Sequence, residues 1–185
     1  MKKEIIFITG NEDKFREFKQ MLTYVELKRE NLDLPELQGS PEKIVKEKAK
    51  LACKIIGKPC FVDDTSLCFE EWGCLPGSYI KHFLKEIGNE KLAKILLNSF
   101  KNNKAKAITS IGYCEPGKES ICIQGITKGE ICLPRGKSGF KNGWDKIFIP
   151  EGEKKTYAEI SSEEKNKISQ RKKAIIAFEK FLESL

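Results

Sequence analysis

Residues 4–22, EIIFITGNEDKFREFKQML, decide the class of fold. Glu4 to Thr9 is a short β-branched and aromatic run of the kind that forms a buried strand, and Gly10-Asn11 stops it with a turn signal. From Asp13 to Leu22 the apolar spacing becomes that of a helix, through Phe15, Phe18 and Leu22. A strand handed through a glycine turn into a helix is the opening unit of an α/β chain.

Outward from there, Ser40-Pro41 reads as a helix N-cap followed by proline at the first helical position. Ile44, Leu51, Ala52 and Ile55 mark one face of that helix, and Gly57-Lys58-Pro59 ends it. Cys60 to Asp64 is a second apolar strand, ending in two carboxylates. Gly73 to Gly77 reads as a turn ahead of helical segments at Tyr79 to Ile87 and Asn89 to Leu97. Three strands are then expected, Ala107 to Cys114, Ser120 to Ile126 and Lys128 to Leu133, as an antiparallel meander, with a Gly-rich loop from Pro134 to Trp144. Ser161 and Glu164 form a capping box, and Ile168, Ile175, Phe178 and Leu182 form the stripe of one C-terminal helix. The pattern predicts an α/β fold, a long twisted mixed sheet flanked by helices, in a single domain over 1–185.

Lys and Arg exceed Asp and Glu by a formal charge of +7. That sign favours a polyanion or a small phosphorylated substrate without choosing between them. The basic residues are dispersed in mixed patches, and neither a recognition helix nor an aromatic stacking sheet is evident, so no nucleic-acid partner is expected. Seven cysteines include no CxxC pair or companion histidine suited to zinc, which predicts free thiols in a reducing cytoplasm. The N-terminal apolar run is too short for a secretory segment, and no run approaches membrane-spanning length.

Candidate chemistry gathers at four places. Thr9-Gly10-Asn11 with Lys14 offers backbone N–H groups, a hydroxyl, an amide and an ammonium that can converge on phosphate, although a glycine turn of this kind is also common in plain α/β units. Asp63 and Asp64 end a strand where ligands of α/β sheets collect. One of them with Glu36 suffices for Mg²⁺, and the alternative is a cap or turn at Asp63-Asp64-Thr65. Asn142-Gly143-Trp144-Asp145 supplies an indole for base stacking or for the core, and a carboxylate to bind metal or orient water.

The fourth place is a set of cations in apolar stripes. Lys48 lies four residues after Ile44 and four before Ala52, and Arg171 lies three after Ile168 and four before Ile175. Each must meet a carboxylate, snorkel to water or face an anion. Lys165 lies on the same face as Arg171, one turn before Ile168.

In order, the strings IIFITGNEDK (5–14), LDLPELQG (32–39), FVDDTSLCF (61–69), LPGSYIKHFL (75–84), GWDKIF (143–148) and TYAEISSEEKNKISQR (156–171) resemble the inosine triphosphate pyrophosphatase family, particularly its eukaryotic branch. The resemblance implies a two-lobed fold with the active site in a central cleft and a cytoplasmic homodimer. It also implies hydrolysis of ITP, dITP and XTP between the α- and β-phosphates, to monophosphate and pyrophosphate. Carried over by motif, Thr9, Gly10, Asn11, Glu12, Asp13 and Lys14 hold the triphosphate, and Glu36 and Asp64 hold Mg²⁺, with Mn²⁺ able to substitute. Lys48, Thr65, Lys81 and Lys165 line the nucleotide, with Asn142, Gly143, Trp144 and Asp145 beside it, and Gln170 and Arg171 meet the base. Asp64, Lys14 and Asp145 are the expected catalytic residues.

Two positions depart from the family pattern. Relatives usually have histidine where this chain has Gln170, an amide that donates but does not titrate. Eukaryotic relatives carry phenylalanine directly before Gly-Trp-Asp, where this chain has Asn142 and places Phe140 two residues earlier. Both bear on base preference, and a pyrophosphatase of similar fold acting on modified pyrimidine nucleotides is the competing reading.

Overall fold

The predicted strand, turn and helix are β1 (Glu4–Ile8) and α1 (Glu12–Met21), followed by β2 (Glu26–Glu30), α2 (Pro41–Ile56) and β3 (Cys60–Phe69) in the computed structural model. It describes residues 3–23, 25–137 and 143–185, so the expected roles of Phe140 and Asn142 lie outside the described residues. After a 3₁₀ turn (Glu70–Trp72) come β4 (Pro76–Gly77), α3 (Ile80–Ser99), β5 (Lys104–Cys114) and β6 (Ile121–Ile131). A second 3₁₀ turn (Asp145–Ile147) leads into β7 (Phe148–Pro150), α4 (Ser162–Ile168) and α5 (Gln170–Glu183). The strands form one seven-stranded sheet in the order β2-β1-β3-β5-β6-β7, with β4 paired to β3. Pairing is parallel between β1 and its neighbours β2 and β3, and antiparallel at β3·β4 and β6·β7, so the sheet is mixed as expected.

The chain divides into two compact units: Met1–Asp64 with Thr109–Gly125 and Lys172–Leu185, and Thr65–Ile108 with Ile126–Arg171. In the first unit the sheet is covered on both faces. Phe7 and Phe61 stack at 4.5 Å and join Phe18 of α1 and Phe178 of α5 on one face. Ile6, Ile8 and Val62 meet Val45, Ala49 and Ala52 of α2 on the other. There the α2 backbone rests directly on β5, because a Cβ at Gly112 would lie 2.1 Å from Val45 O. The second unit is centred on Leu67, Phe69, Leu84, Leu92, Leu96, Trp144 and Phe148.

Local signals behave as their chemistry demands. Ser40 Oγ accepts from the Lys43 amide at 3.3 Å, Gly57 ends α2 in the left-handed region at φ 65°, and Ser161 and Glu164 cap α4 reciprocally. α3 carries a break at Gly88 (φ 72°, ψ 171°), so the two helical segments read from the sequence are its two halves.

Other expectations need correction. The last helix is two, because Ser169 is extended (φ −68°, ψ 152°) and the Ile168 carbonyl accepts from Thr127 Oγ1 at 2.9 Å instead of continuing the helical ladder. The strands expected at Ser120 to Ile126 and Lys128 to Leu133 are one long strand that runs through Thr127-Lys128-Gly129 without a turn between them. Gly129 is there for close approach, since a Cβ would meet Ile149 O of β7 at 2.2 Å. β2 and β7 were not anticipated. The cysteines are not all free either: β3·β4 pairing brings Cys68 to Cys74, with Cα atoms 4.4 Å apart and a disulfide between them. Cys53, Cys60, Cys114, Cys122 and Cys132 are free thiols, and burial pushes Cys60 up to about 12. Among the described residues no helix is long and apolar enough to cross a membrane.

Candidate functional site

In the first unit the turn between β1 and α1 is organised by its own polar groups. The Asn11 amide donates to Thr9 Oγ1 at 3.1 Å, and Asn11 Oδ1 caps α1 by accepting from the Lys14 amide at 3.1 Å. A Cβ at Gly10 would lie 2.9 Å from Asn31 Oδ1, the tip of an exposed side chain that can swing aside. Glu12 and Asp13 are exposed, Asp13 paired with Arg16 at 2.8 Å, so what this turn offers an anion is backbone N–H at a helix start. Lys14 sends its ammonium to Asp63, Nζ to Oδ1 3.0 Å.

Lys48, predicted to sit in an apolar stripe, is 19% exposed and reaches Glu36, Nζ to Oε2 3.2 Å. α2 packs against Val62 of β3, and side chains of a strand alternate between faces. Asp64 therefore shares the Val62 face with α2, Lys48 and Glu36, while Asp63 shares the Phe61 face with α1 and Lys14. Among the described residues no three His, Cys, Asp or Glu side chains gather as for a metal ion. Mg²⁺ commonly takes only one or two protein carboxylates beside water and phosphate oxygens. Glu36, 75% exposed, and the part-exposed Asp64 are hard oxygen donors on one face, which fits such an ion.

In the second unit Asp145 opens the 3₁₀ turn and receives Lys165, Nζ to Oδ2 2.6 Å. The same ammonium lies 5.1 Å from the centroid of the Tyr157 ring. Tyr157 donates its hydroxyl to Gln170 Oε1 at 3.2 Å, and burial raises its phenol above the usual range. Gln170, 4% exposed, thus spends its amide oxygen on Tyr157 and keeps its NH₂ as the donor end. Arg171 Nη2 donates to Thr65 Oγ1 at 3.4 Å. Lys81 is exposed in the first turn of α3. Trp144 packs edge-on against Phe148 at 5.5 Å and at a tilt against Tyr157 at 6.0 Å, so most of the indole serves the core.

Sequence reasoning missed three residues. Asp63 is read from the sequence only as an alternative to Asp64 for the metal, whereas a carboxylate two positions after Phe61 in a strand belongs to the opposite face from Asp64 and meets Lys14. Tyr157 links Lys165 to Gln170. Asn89 donates to the Gly143 carbonyl at 3.0 Å and so fixes the start of the Gly-Trp-Asp segment. Its position after the Gly88 break was the available signal. A hollow of about 510 Å³ in the second unit, lined among others by Lys104, Lys106, Lys128 and Glu130, contains none of the expected site residues.

Comparison with known proteins covers nearly the whole chain. The profile of the Ham1 family matches residues 5–181. An Inosine triphosphate pyrophosphatase of Candida glabrata is 47% identical over 189 residues, spanning 97% of this chain and 97% of that protein. One of Puccinia graminis f. sp. tritici is 44% identical over 181 residues, 93% of each. Among solved structures, a HAM1 protein from Coxiella burnetii superposes with a TM-score of 0.88 at 26% identity, covering 99% of this chain and 100% of that one. The Staphylococcus aureus Ham1 protein gives 0.84 at 29% identity, covering 98% and 99%.

Proposed function

The chain belongs to the Ham1 family, and from that membership we propose that it hydrolyses non-canonical purine nucleoside triphosphates, ITP, dITP and XTP, to monophosphate and pyrophosphate. It is a hydrolase of nucleotide metabolism, built as one catalytic domain over 1–185. The observation that carries the reading is the Lys48–Glu36 pair at 3.2 Å. A cation in an apolar helix face is partnered by a carboxylate on the face that also holds Asp64. A divalent ion taking Glu36 would release that ammonium to phosphate.

Glu36 and Asp64 would hold the ion, Mg²⁺ with Mn²⁺ able to substitute, and the chemistry it supplies is charge neutralisation across the phosphates. The remaining work belongs to the protein. The N–H groups of Thr9 to Asp13 cradle phosphate oxygens at the start of α1. Lys14 and Lys48, with Lys81 and Lys165, oppose charge that grows on the departing pyrophosphate. Asp145, which Lys165 holds at 2.6 Å, would orient a water. Arg171 and the NH₂ of Gln170 donate to the 6-keto oxygen of hypoxanthine or xanthine, where adenine presents an amino donor instead. We further assign the protein to the cytoplasm as a homodimer that takes free nucleotide, without nucleic-acid or membrane partners.

The deciding experiment incubates the protein with Mg²⁺ and a panel of ITP, XTP, dITP, ATP, GTP and a modified pyrimidine triphosphate, and measures pyrophosphate release. ITP and XTP turning over no faster than ATP and GTP overturns the purine selectivity. Asp64→Asn should lower turnover by about a hundredfold or more while the protein stays folded. Near-native activity in that variant removes Asp64 from the ion's ligands.

A further inference from the structure

Asp63 lies inside β3, which runs on past the two aspartates to Phe69 instead of ending at them, and none of the assignments above uses it. Its side chain is 2% exposed, and Oδ1 lies 3.0 Å from Lys14 Nζ. Its other oxygen, Oδ2, is buried with no hydrogen-bond partner among the described residues. A buried carboxylate with one oxygen unmatched is a poor device for stability, because two apolar side chains of similar volume would serve the core better. Stability alone therefore does not account for it.

Lys14 supplies a reason. It sits in the first turn of α1, where Asn11 caps the helix and the aligned peptide dipoles present partial positive charge. An ammonium is disfavoured there and, on a flexible four-carbon stem, would swing out to water. Asp63 prevents this from below. It shares its sheet face with Phe61, which packs against Phe18 of the same helix, so the carboxylate lies under α1 on a rigid floor of stacked rings. Asp64, one residue on, takes the other face of the strand, that of Val62 and α2. Strand alternation thus gives two consecutive aspartates separate tasks.

We propose that Asp63 is the positioning residue for Lys14, holding its ammonium in place and aimed at the triphosphate. This rests on the proposed pyrophosphatase activity. Asp63 adds negative charge near the phosphates, so it gives nothing to ground-state attraction. Its contribution is orientation during the chemical step. Removal should therefore separate kcat from KM.

The test is steady-state pyrophosphate release from ITP with Mg²⁺ for the wild type, Asp63→Asn, Lys14→Met and the double variant, each assayed well below its own melting temperature. Asp63→Asn should lower kcat by about tenfold or more without raising KM. In the Lys14→Met background it should change kcat by less than about twofold. If Asp63→Asn does not fold, Asp63→Glu, which keeps the charge but displaces it by one methylene, should give the same kcat loss. A folded Asp63 variant with wild-type kcat, a loss confined to KM, or effects that multiply in the double variant overturns the positioning role while the activity stands. A wild-type protein that releases no pyrophosphate from any of ITP, XTP or dITP with Mg²⁺ or Mn²⁺ overturns both.

Discussion

Lys165 and Asp145, twenty positions apart, form a largely buried ion pair with Nζ 2.6 Å from Oδ2 and side chains 19% and 12% exposed. The ammonium also lies over the Tyr157 ring, so one cation is shared between a carboxylate and a π-face. Breaking one side of such a pair strands the other charge in a low-dielectric setting.

Lys165→Met should accordingly destabilise the protein by about 3 kcal/mol, and Asp145→Asn by a similar amount. The double variant should lose clearly less than their sum. Urea denaturation of the four proteins measures this, and additive losses would show that the pair carries no coupling. If Asp145 orients the water as proposed, pyrophosphate release should fall in every variant, through loss of the carboxylate in Asp145→Asn and through loss of the ammonium that holds it in Lys165→Met.

Arg171 and Gln170 make the second prediction. Arg171 donates to Thr65 and Gln170 is held by Tyr157, so both side chains are already oriented for the base contact proposed for them. Arg171→Ala removes a charged donor to the 6-keto oxygen, and the ITP-to-ATP ratio of kcat/KM should fall by about tenfold or more. Equal losses on the two substrates would move Arg171 from the base to the phosphates.

What could be read in advance followed from short-range chemistry. The Ser40 and Ser161 caps, the Gly57 stop and the β1 turn depend on groups within a turn or so of one another along the chain, and all are present. β2 escaped because, at the edge of the sheet, only Leu27 of Glu26–Glu30 is buried, and ELKRE carries no strand pattern. Gly129 looked like a turn residue because nothing local shows that Phe148 and Ile149 will press against it. The break at Ser169 depends on a hydroxyl from Thr127, far away in the chain. The cations at 48 and 165 were legible as anomalies in apolar faces, but their partners Glu36 and Asp145 belong to other segments that only folding brings near. The pairing of Asp63 with Lys14 was not legible because adjacent aspartates look equivalent in a sequence, whereas a strand sends neighbours to opposite sides.

The third prediction concerns acid. Glu115 collects Lys118 at 2.9 Å on Oε2, and on Oε1 it accepts from the Tyr113 hydroxyl at 2.8 Å and from Lys3 at 3.2 Å. The bond to Lys118 first, then those to Tyr113 and Lys3, pull its carboxyl from 4.5 down to about 2. Because the folded value is the lower one, the native state binds fewer protons than the unfolded chain between those two values. Glu115 therefore contributes stability that is fully present above pH 4.5 and is lost as pH falls toward 2. The contribution is on the order of 2 kcal/mol, or about 5 °C in melting temperature for a chain of this size. Glu115→Gln lacks the titrating group, so it should melt below the wild type at neutral pH, and the gap should narrow as both are taken from about pH 5 toward pH 2, the window the linkage sets. The cluster ties the residue before β1 to the end of β5, and thermal melts across that window decide its worth. Parallel melting curves for the two proteins would show that the ion pairs at Glu115 do not support the first unit.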